Sequence, residues 1–282
     1  MTTGIQTIED LLELLHEKAT FVRTETVRLI SIAKSGHYTS VFSCAEIFAA
    51  LYYHAMRIDP KNPDWAGRDR FLMGKGHAAV GWYPILADLG FFDAALLEDY
   101  TRIGSAFGDH PDMTKIPGAD FSSGSLGHNL SVSVGMALGG RIKKLDYRVF
   151  CLLGDGELNE GQVWEAFMSA GNFGLGNLVA IVDQNTMSLD GTTKEVMDIE
   201  PLADKFRAFK WRVVEIDGHD LRQVVRAFDD LPPPSDTRPT VIIAHTMKGH
   251  GLSWMSGSRV WHLGYLGPED SKEAIRDIRR EA

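Results

Sequence analysis

The chain has 282 residues, 44% of them hydrophobic and 24% charged, which is enough for one large domain with a substantial core and unlike a disordered or fibrous protein. A formal net charge of −9 argues against non-specific nucleic-acid binding. No stretch approaches the roughly 20 apolar residues that cross a bilayer, Met1 to Asp10 lack the basic and apolar regions of a secretory signal, and the cysteines Cys44 and Cys151 sit in apolar contexts without a disulfide framework. The expectation is a soluble cytoplasmic protein that engages neither membrane nor nucleic acid.

Residues 7–34 read as one long helix, with Ile8, Leu11, Leu12, Leu15, Val22, Val27 and Ile30 at helical spacing. Gly36, in Ser35-Gly36-His37, is the candidate stop. Ser43 is a candidate cap for a second helix, Cys44 to His54, with Glu46 in its first turn. Asp59-Pro60 and Asn62-Pro63 mark a loop. Arg70 to Met73 is a short strand candidate that runs into Gly74-Lys75-Gly76-His77. Residues 104–126 are irregular, and Gly127 to Lys144 reads as a helix rich in small residues. Strand candidates at 148–153, 178–183, 211–216 and 240–245 then alternate with helical segments at 162–171, 200–209 and 221–231, and a charged helical tail begins at Pro268. This alternation predicts an α/β fold, an open mostly parallel sheet with helices on both faces, as a single domain over residues 1–282.

The chemistry concentrates at strand ends. Gly154-Asp155-Gly156-Glu157 closes the apolar run from Arg148 to Leu153, and Asn185, thirty residues after Asp155, follows the run from Leu178 to Asp183. One carboxylate and one amide oxygen held this way suit Mg²⁺ or Ca²⁺ beside a diphosphate, and the glycines flanking Asp155 allow close approach of backbone to phosphate. Taken alone, Gly-Asp-Gly reads equally well as a turn. The carboxylates that follow, Glu157, Glu160 and Glu165, mean that a diphosphate here needs a divalent cation. In open α/β sheets ligands bind beyond the carboxyl ends of the strands, where His77, Asp155, Gly156, Asn185 and His245 fall. Among ten histidines, His37, His77, His110, His250 and His262 occupy glycine-rich breaks, as in a pocket that handles protons near neutral pH. His54, on an apolar face, reads as structural and His16 as solvent-facing. No His or Cys spacing fits a structural zinc site.

The segment from Gly154 to Ala166 resembles the thiamine-diphosphate motif of transketolases. Ser35-Gly-His37, Gly76-His-Ala78, Asp109-His-Pro111, Gly124-Ser-Leu-Gly127 and Lys248-Gly249 fall in the order expected for that family, from about residue 15 to 267. The resemblance implies that Asp155, Asn185 and the carbonyl of Met187 hold Mg²⁺, with Ca²⁺ or Mn²⁺ as substitutes. It implies that Gly154, Asp155, Gly156, Glu157 and Asn185 surround the cofactor diphosphate, that His77 and His262 flank the diphosphate and thiazolium, and that Gly124, Ser125 and Leu126 meet the aminopyrimidine. His37, His110 and His262 are the implied catalytic residues, moving hydroxyl protons of a sugar during carbon–carbon cleavage. The family's usual Ser-Gly-His-Pro-Gly is here Ser35-Gly-His-Tyr38-Thr39, Ser125 replaces a Pro and His128 a Gln, so Tyr38 and His128 are candidates for altering donor preference.

In that family the carboxylate that activates the aminopyrimidine, and most groups that grip a sugar phosphate, lie on a second domain. The resemblance therefore implies the N-terminal subunit of a split transketolase. It would need a separate C-terminal subunit carrying the pyrimidine-binding domain, in a heterotetramer with two copies of each, and would have little activity alone. Glu160 resembles a glutamate that communicates across the subunit interface. A deoxyxylulose-phosphate-synthase-like or ketoacid-dehydrogenase-like subunit, and a non-catalytic cofactor-binding scaffold, are the alternatives.

Overall fold

In the computed structural model, which describes residues 7–281, the first helix, α1 (Ile8–Ala33), opens on a reciprocal cap. The Thr7 N–H donates to Asp10 Oδ2 at 2.9 Å and the Asp10 N–H to Thr7 Oγ1 at 3.1 Å. Lys34, with φ 60°, ends it by returning its N–H to Ile30. The stop thus falls before Gly36, whose backbone pairs instead with Gly264. The reading of Met1 to Asp10 as free of a secretory signal, and the outer limits of the 1–282 domain, reach residues outside the described ones.

The expected helix from Cys44 to His54 is present over 45–55, its second half as a π-helical turn, and only its expected Ser43 cap is corrected. A short turn, α2 (Thr39–Phe42), precedes α3 (Ala45–Ala50), which runs into a π-helical turn over Leu51–Ala55. Ser43 closes α2 but does not N-cap α3, where Cys44 takes that place without a side-chain cap, and the Ser43 hydroxyl donates to Asp183 at 2.7 Å. Strand β1 (Arg70–Met73) leads to α4 (Ala79–Leu89). Then follow α5 (Asn129–Ile142), β2 (Val149–Gly154), α6 (Gly161–Phe173) and β3 (Leu178–Gln184). After α7 (Thr193–Met197) and α8 (Leu202–Ala208) come β4 (Arg212–Asp217), α9 (Leu221–Asp229), β5 (Thr240–His245) and α10 (Pro268–Glu281).

The strands form one parallel sheet in the order β1-β2-β3-β5-β4. Side chains alternate between two cores. Phe71, Phe150, Leu152, Val179, Ile181 and Ile242 face the layer of α1, α3, α4 and α9, whereas Leu72, Cys151, Leu153, Ala180, Val182 and Val241 face α5, α6 and α8. Burial on both faces explains why these strands read as unbroken apolar runs, each fully buried Leu, Ile or Phe contributing roughly 1.5–3 kcal/mol. Of the helices leading the chain from β1 towards β4, α5, α6 and α8 lie on one face, whereas α4 and α9, the latter returning the chain to β5, lie on the other, in keeping with right-handed crossovers. The charged tail is docked as well: α10 buries Ala274 and Ile278 in the core, and Ser271 Oγ lies 2.8 Å from Ser31 Oγ of α1.

Candidate active site at the carboxyl edge of the sheet

A cavity of about 350 Å³ opens beyond the carboxyl ends of β1, β2, β3 and β5. Lys75 and His77 enter it after β1, Gly154 to Glu157 after β2, Asn185 and Met187 after β3, Lys248 after β5, and His262 from the segment before α10. Asp155 Oδ1 accepts the Gly156 N–H at 2.9 Å and Oδ2 the Thr186 N–H at 2.5 Å. Thr186 has φ 63°, and this left-handed residue turns the chain so that Asn185 Oδ1 accepts the Met187 N–H at 3.1 Å. The three expected metal ligands therefore share one corner. Burial and the neighbouring Asp183 carboxylate push Asp155 up to about 7, so the corner holds a desolvated acid whose ionised form calls for a cation.

Two buried ammonium groups balance it. Lys75 pairs with Asp183, which also accepts from Ser43 Oγ, from Thr246 Oγ1 and, at 3.2 Å, from Asn185 Nδ2. Burial opposes ionisation of Asp183, but Lys75 and the hydroxyls outweigh it and hold the carboxyl below its ordinary range. Lys248, 3% exposed, donates to the Ser188 carbonyl at 3.3 Å. Burial and the like charge of Lys75 bring it down to about 8. A divalent cation with a diphosphate suits this donor set, since the oxygens take the metal and the ammonium groups take the phosphates. Glu157 has a different place from its neighbours. Its oxygens accept the Gly127 N–H at 2.9 Å and the Gly154 N–H at 3.2 Å, so it bolts the loop before α5 to the end of β2.

Three of the expected histidines converge. The ring centroids of His37 and His77 are 5.1 Å apart, of His37 and His262 5.2 Å, and of His77 and His262 5.6 Å. Burial, with Lys75 and the other rings, holds His77 well below the usual imidazole range. Burial, with Lys248 and His37, takes His262 down to about 3. These two imidazoles are neutral at physiological pH, each with one ring N–H donor and one ring nitrogen acceptor. His262 Nδ1 is buried without a hydrogen-bond partner. His37 Nδ1 lies 3.5 Å from Asp109 Oδ1, and His110 Nδ1 3.7 Å from Asp109 Oδ2, so His110 joins the cluster through Asp109 while its own ring is exposed. Leu126 lines the cavity. Gly124, with φ 142°, packs so closely on His110 that an added Cβ would stand 3.4 Å from its ring, and Ser125 faces outward.

The remaining histidines go elsewhere. His245 is corrected: it is exposed, 3.5 Å from Glu215, and away from the cavity. His250, also read as part of the pocket, stacks on His219 at 3.6 Å instead. His54 pairs with Asp229 at 2.7 Å and His16 is exposed on α1. Glu46, His219 and His250 bring potential metal-ligand atoms within 4.8 Å of one another. However, Glu46 already carries Arg23 at 2.6 Å. His219 spends Nδ1 on Glu46 at 3.2 Å and Nε2 on the Met247 N–H at 2.9 Å, so the trio is a structural network. Sequence reasoning missed Lys75, Asp183 and Lys248 as site residues. The available signals were a lysine between two glycines and a carboxylate closing an apolar strand.

Fold and site together define an α/β protein whose cavity at the carboxyl edge of the sheet sets buried carboxylate and ammonium groups beside neutral histidines. The chain belongs to the transketolase family: the family described as "Transketolase, thiamine diphosphate binding domain" matches residues 16–279. It is 38% identical over 269 residues to an apulose-4-phosphate transketolase subunit of Phocaeicola vulgatus, covering 95% of this chain and 94% of that protein. It is 39% identical over 273 residues to the 6-deoxy-6-sulfo-D-fructose transketolase subunit SqwG of Clostridium sp., covering 97% and 98%. The crystal structure of transketolase from Campylobacter jejuni superposes with a TM-score of 0.87 at 29% identity, over 95% of this chain and 42% of that one. The chain thus spans less than half of that longer transketolase. The expectations of fold, family and a transketolase-type transferase subunit are borne out by these relatives, two of which are named as subunits. Among the described residues no helix is long and apolar enough to cross a membrane.

Proposed function

We propose that this chain is the diphosphate-holding subunit of a two-component transketolase, which transfers a two-carbon ketol unit from a ketose, as its phosphate or a similar anion, to an aldose. The observation that carries the reading is that His77 and His262 line the same cavity as Asp155 and Asn185, with the His37 ring packed against both histidines. Bound thiamine diphosphate supplies a carbanion for addition to a ketose carbonyl. Asp155, Asn185 and the carbonyl of Met187 would hold Mg²⁺, or Ca²⁺ or Mn²⁺ in its place, for the diphosphate. Lys248 faces the same group, with Lys75 and Asp183 behind it. His77 walls the cavity, and His37 and His262 take and return protons at the sugar hydroxyls as the carbon–carbon bond breaks and re-forms. His110, exposed and tied to Asp109, does the same at the mouth.

The partner is a second polypeptide carrying the pyrimidine-binding domain, in an assembly with two copies of each. That two relatives are named as subunits supports a separate partner chain, and the sugars in their names, one a phosphate and one a sulfonate, are consistent with an anionic ketose. A cytoplasmic setting belongs to the same reading, supported by two buried cysteines without a disulfide. The test is substitution in the reconstituted two-chain enzyme. His37→Ala and His262→Ala are expected to lower kcat by about 10²- to 10⁴-fold, as loss of positioned acid–base groups does, while cofactor binding persists. Unchanged turnover would contradict the assignment and favour a scaffold.

A further inference from the structure

The segments around His37 and His262 come from opposite ends of the chain, yet they are stitched together along their length. Gly36 and Gly264 exchange both backbone hydrogen bonds, each at 3.0 Å. Thr39 Oγ1 donates to the Trp261 carbonyl at 3.1 Å, and the Leu266 N–H donates to the Tyr38 hydroxyl at 3.0 Å. The Tyr38 ring also meets Trp261 edge-on, with centroids 6.4 Å apart. Tyr38 therefore touches the chain on both sides of His262. The outward side of that segment has little support, with Val260 80% and Leu263 54% exposed. His262 Nδ1 has no hydrogen bond to fix the ring, so the ring's place is set by the backbone that carries it.

We infer that Tyr38 is a positioning residue whose hydroxyl pins the 261–266 segment and so sets His262 against His37 and His77. This deepens the reading of His262 given under the proposed function. Tyr38 is 0% exposed and its hydroxyl is committed to Leu266. Its departure from the family motif therefore acts through the placement of His262 and involves no contact with a sugar. Replacing it by Phe keeps the ring and its packing, and leaves the Leu266 N–H buried and unpaired.

Two measurements on Tyr38→Phe test this. The first uses the full chain alone, without cofactor, and reads the imidazole Cε1–H signal of His262 by proton NMR at about pH 6, assigned with His262→Gln. In the wild type burial, with Lys248, His37 and Lys75, keeps this ring neutral. In Tyr38→Phe the signal is expected to move towards the protonated position while that of exposed His245 stays in place. The second uses the two-chain enzyme. Tyr38→Phe is expected to lower kcat about tenfold, the effect of one buried hydrogen bond, with the KM for cofactor unchanged. In a His262→Ala background it should add less than about twofold. Thr39→Val, which removes the neighbouring stitch, serves as the second variant and should act in the same direction. An unmoved His262 signal, or equal losses in both backgrounds, would overturn the inference. Absence of ketol transfer by the wild type would count against the functional reading alone, since the NMR result does not depend on it.

Discussion

The ammonium of Lys75 and the carboxylate of Asp183 are paired out of contact with solvent, their side chains 2% and 0% exposed. They come from the ends of β1 and β3, and Lys75 lines the cavity with Asp183 behind it. Removing one charge leaves the other buried and unbalanced. Asp183→Asn is expected to lower unfolding free energy by about 3–5 kcal/mol, measured by urea denaturation. Adding Lys75→Met should recover part of this loss. A single variant as stable as wild type would contradict this account of the pair.

Lys248 should separate binding from stability. It is desolvated and close to a second ammonium, which is what lowers its pKa to about 8. Lys248→Met is expected to weaken cofactor binding about 10- to 100-fold, as loss of a charge-assisted hydrogen bond does, when followed by calorimetry with Mg²⁺ present. The same variant without cofactor should melt no lower than wild type. A melting temperature that falls together with affinity would mean that Lys248 is structural.

The network beneath the loop after β5 predicts an acid limb in stability. Burial alone would raise the Glu46 carboxyl, but Arg23 and His219 outweigh it and take it down to about 2. A lowered carboxyl pKa stabilises the fold above the unfolded-state value of about 4.3, and that contribution is lost as pH falls towards the folded value. Glu46→Gln should therefore be less stable than wild type at about pH 6, by roughly 3 kcal/mol for a shift of this size, with the gap closing below about pH 3. A gap that stays constant with pH would rule out the ionic account.

Gly76 tests the wall between His77 and the 123–124 loop. A Cβ built there would come within 2.4 Å of Ser123 Oγ and 2.8 Å of the Gly124 N. Gly76→Ala must move that loop or His77, and it is expected to lower cofactor affinity at least about tenfold, in keeping with overpacking of 1–3 kcal/mol. Wild-type affinity in this variant would show that the loop yields without moving the wall.

The sheet was legible because β2, β3 and β5 are buried on both faces, which writes each as an apolar run. Asp155 and Asn185 were legible because they end two of those runs, one of them between glycines. The absence of a Ser43 cap on the helix from Cys44 was not legible, because the Ser43 hydroxyl pairs with Asp183, 140 residues away, and nothing local encodes that partner. Lys75 and Lys248 were noted in their motifs but given no role for a related reason: each sits beside glycine in a loop, and only a sheet that sets β3 between β2 and β5 brings both to one cavity. His245 and His250 share the glycine-rich or strand-end settings of the true cluster, and tertiary partners, Glu215 and His219, take them elsewhere.

The most direct test of the central claim is ketol transfer measured with purified components: this chain, its partner subunit, thiamine diphosphate and Mg²⁺, with a panel of anionic ketose donors and aldose acceptors. The expected result is transfer that requires both chains and is abolished by Asp155→Ala. Robust turnover by this chain alone, or full activity of Asp155→Ala with both chains present, would contradict it.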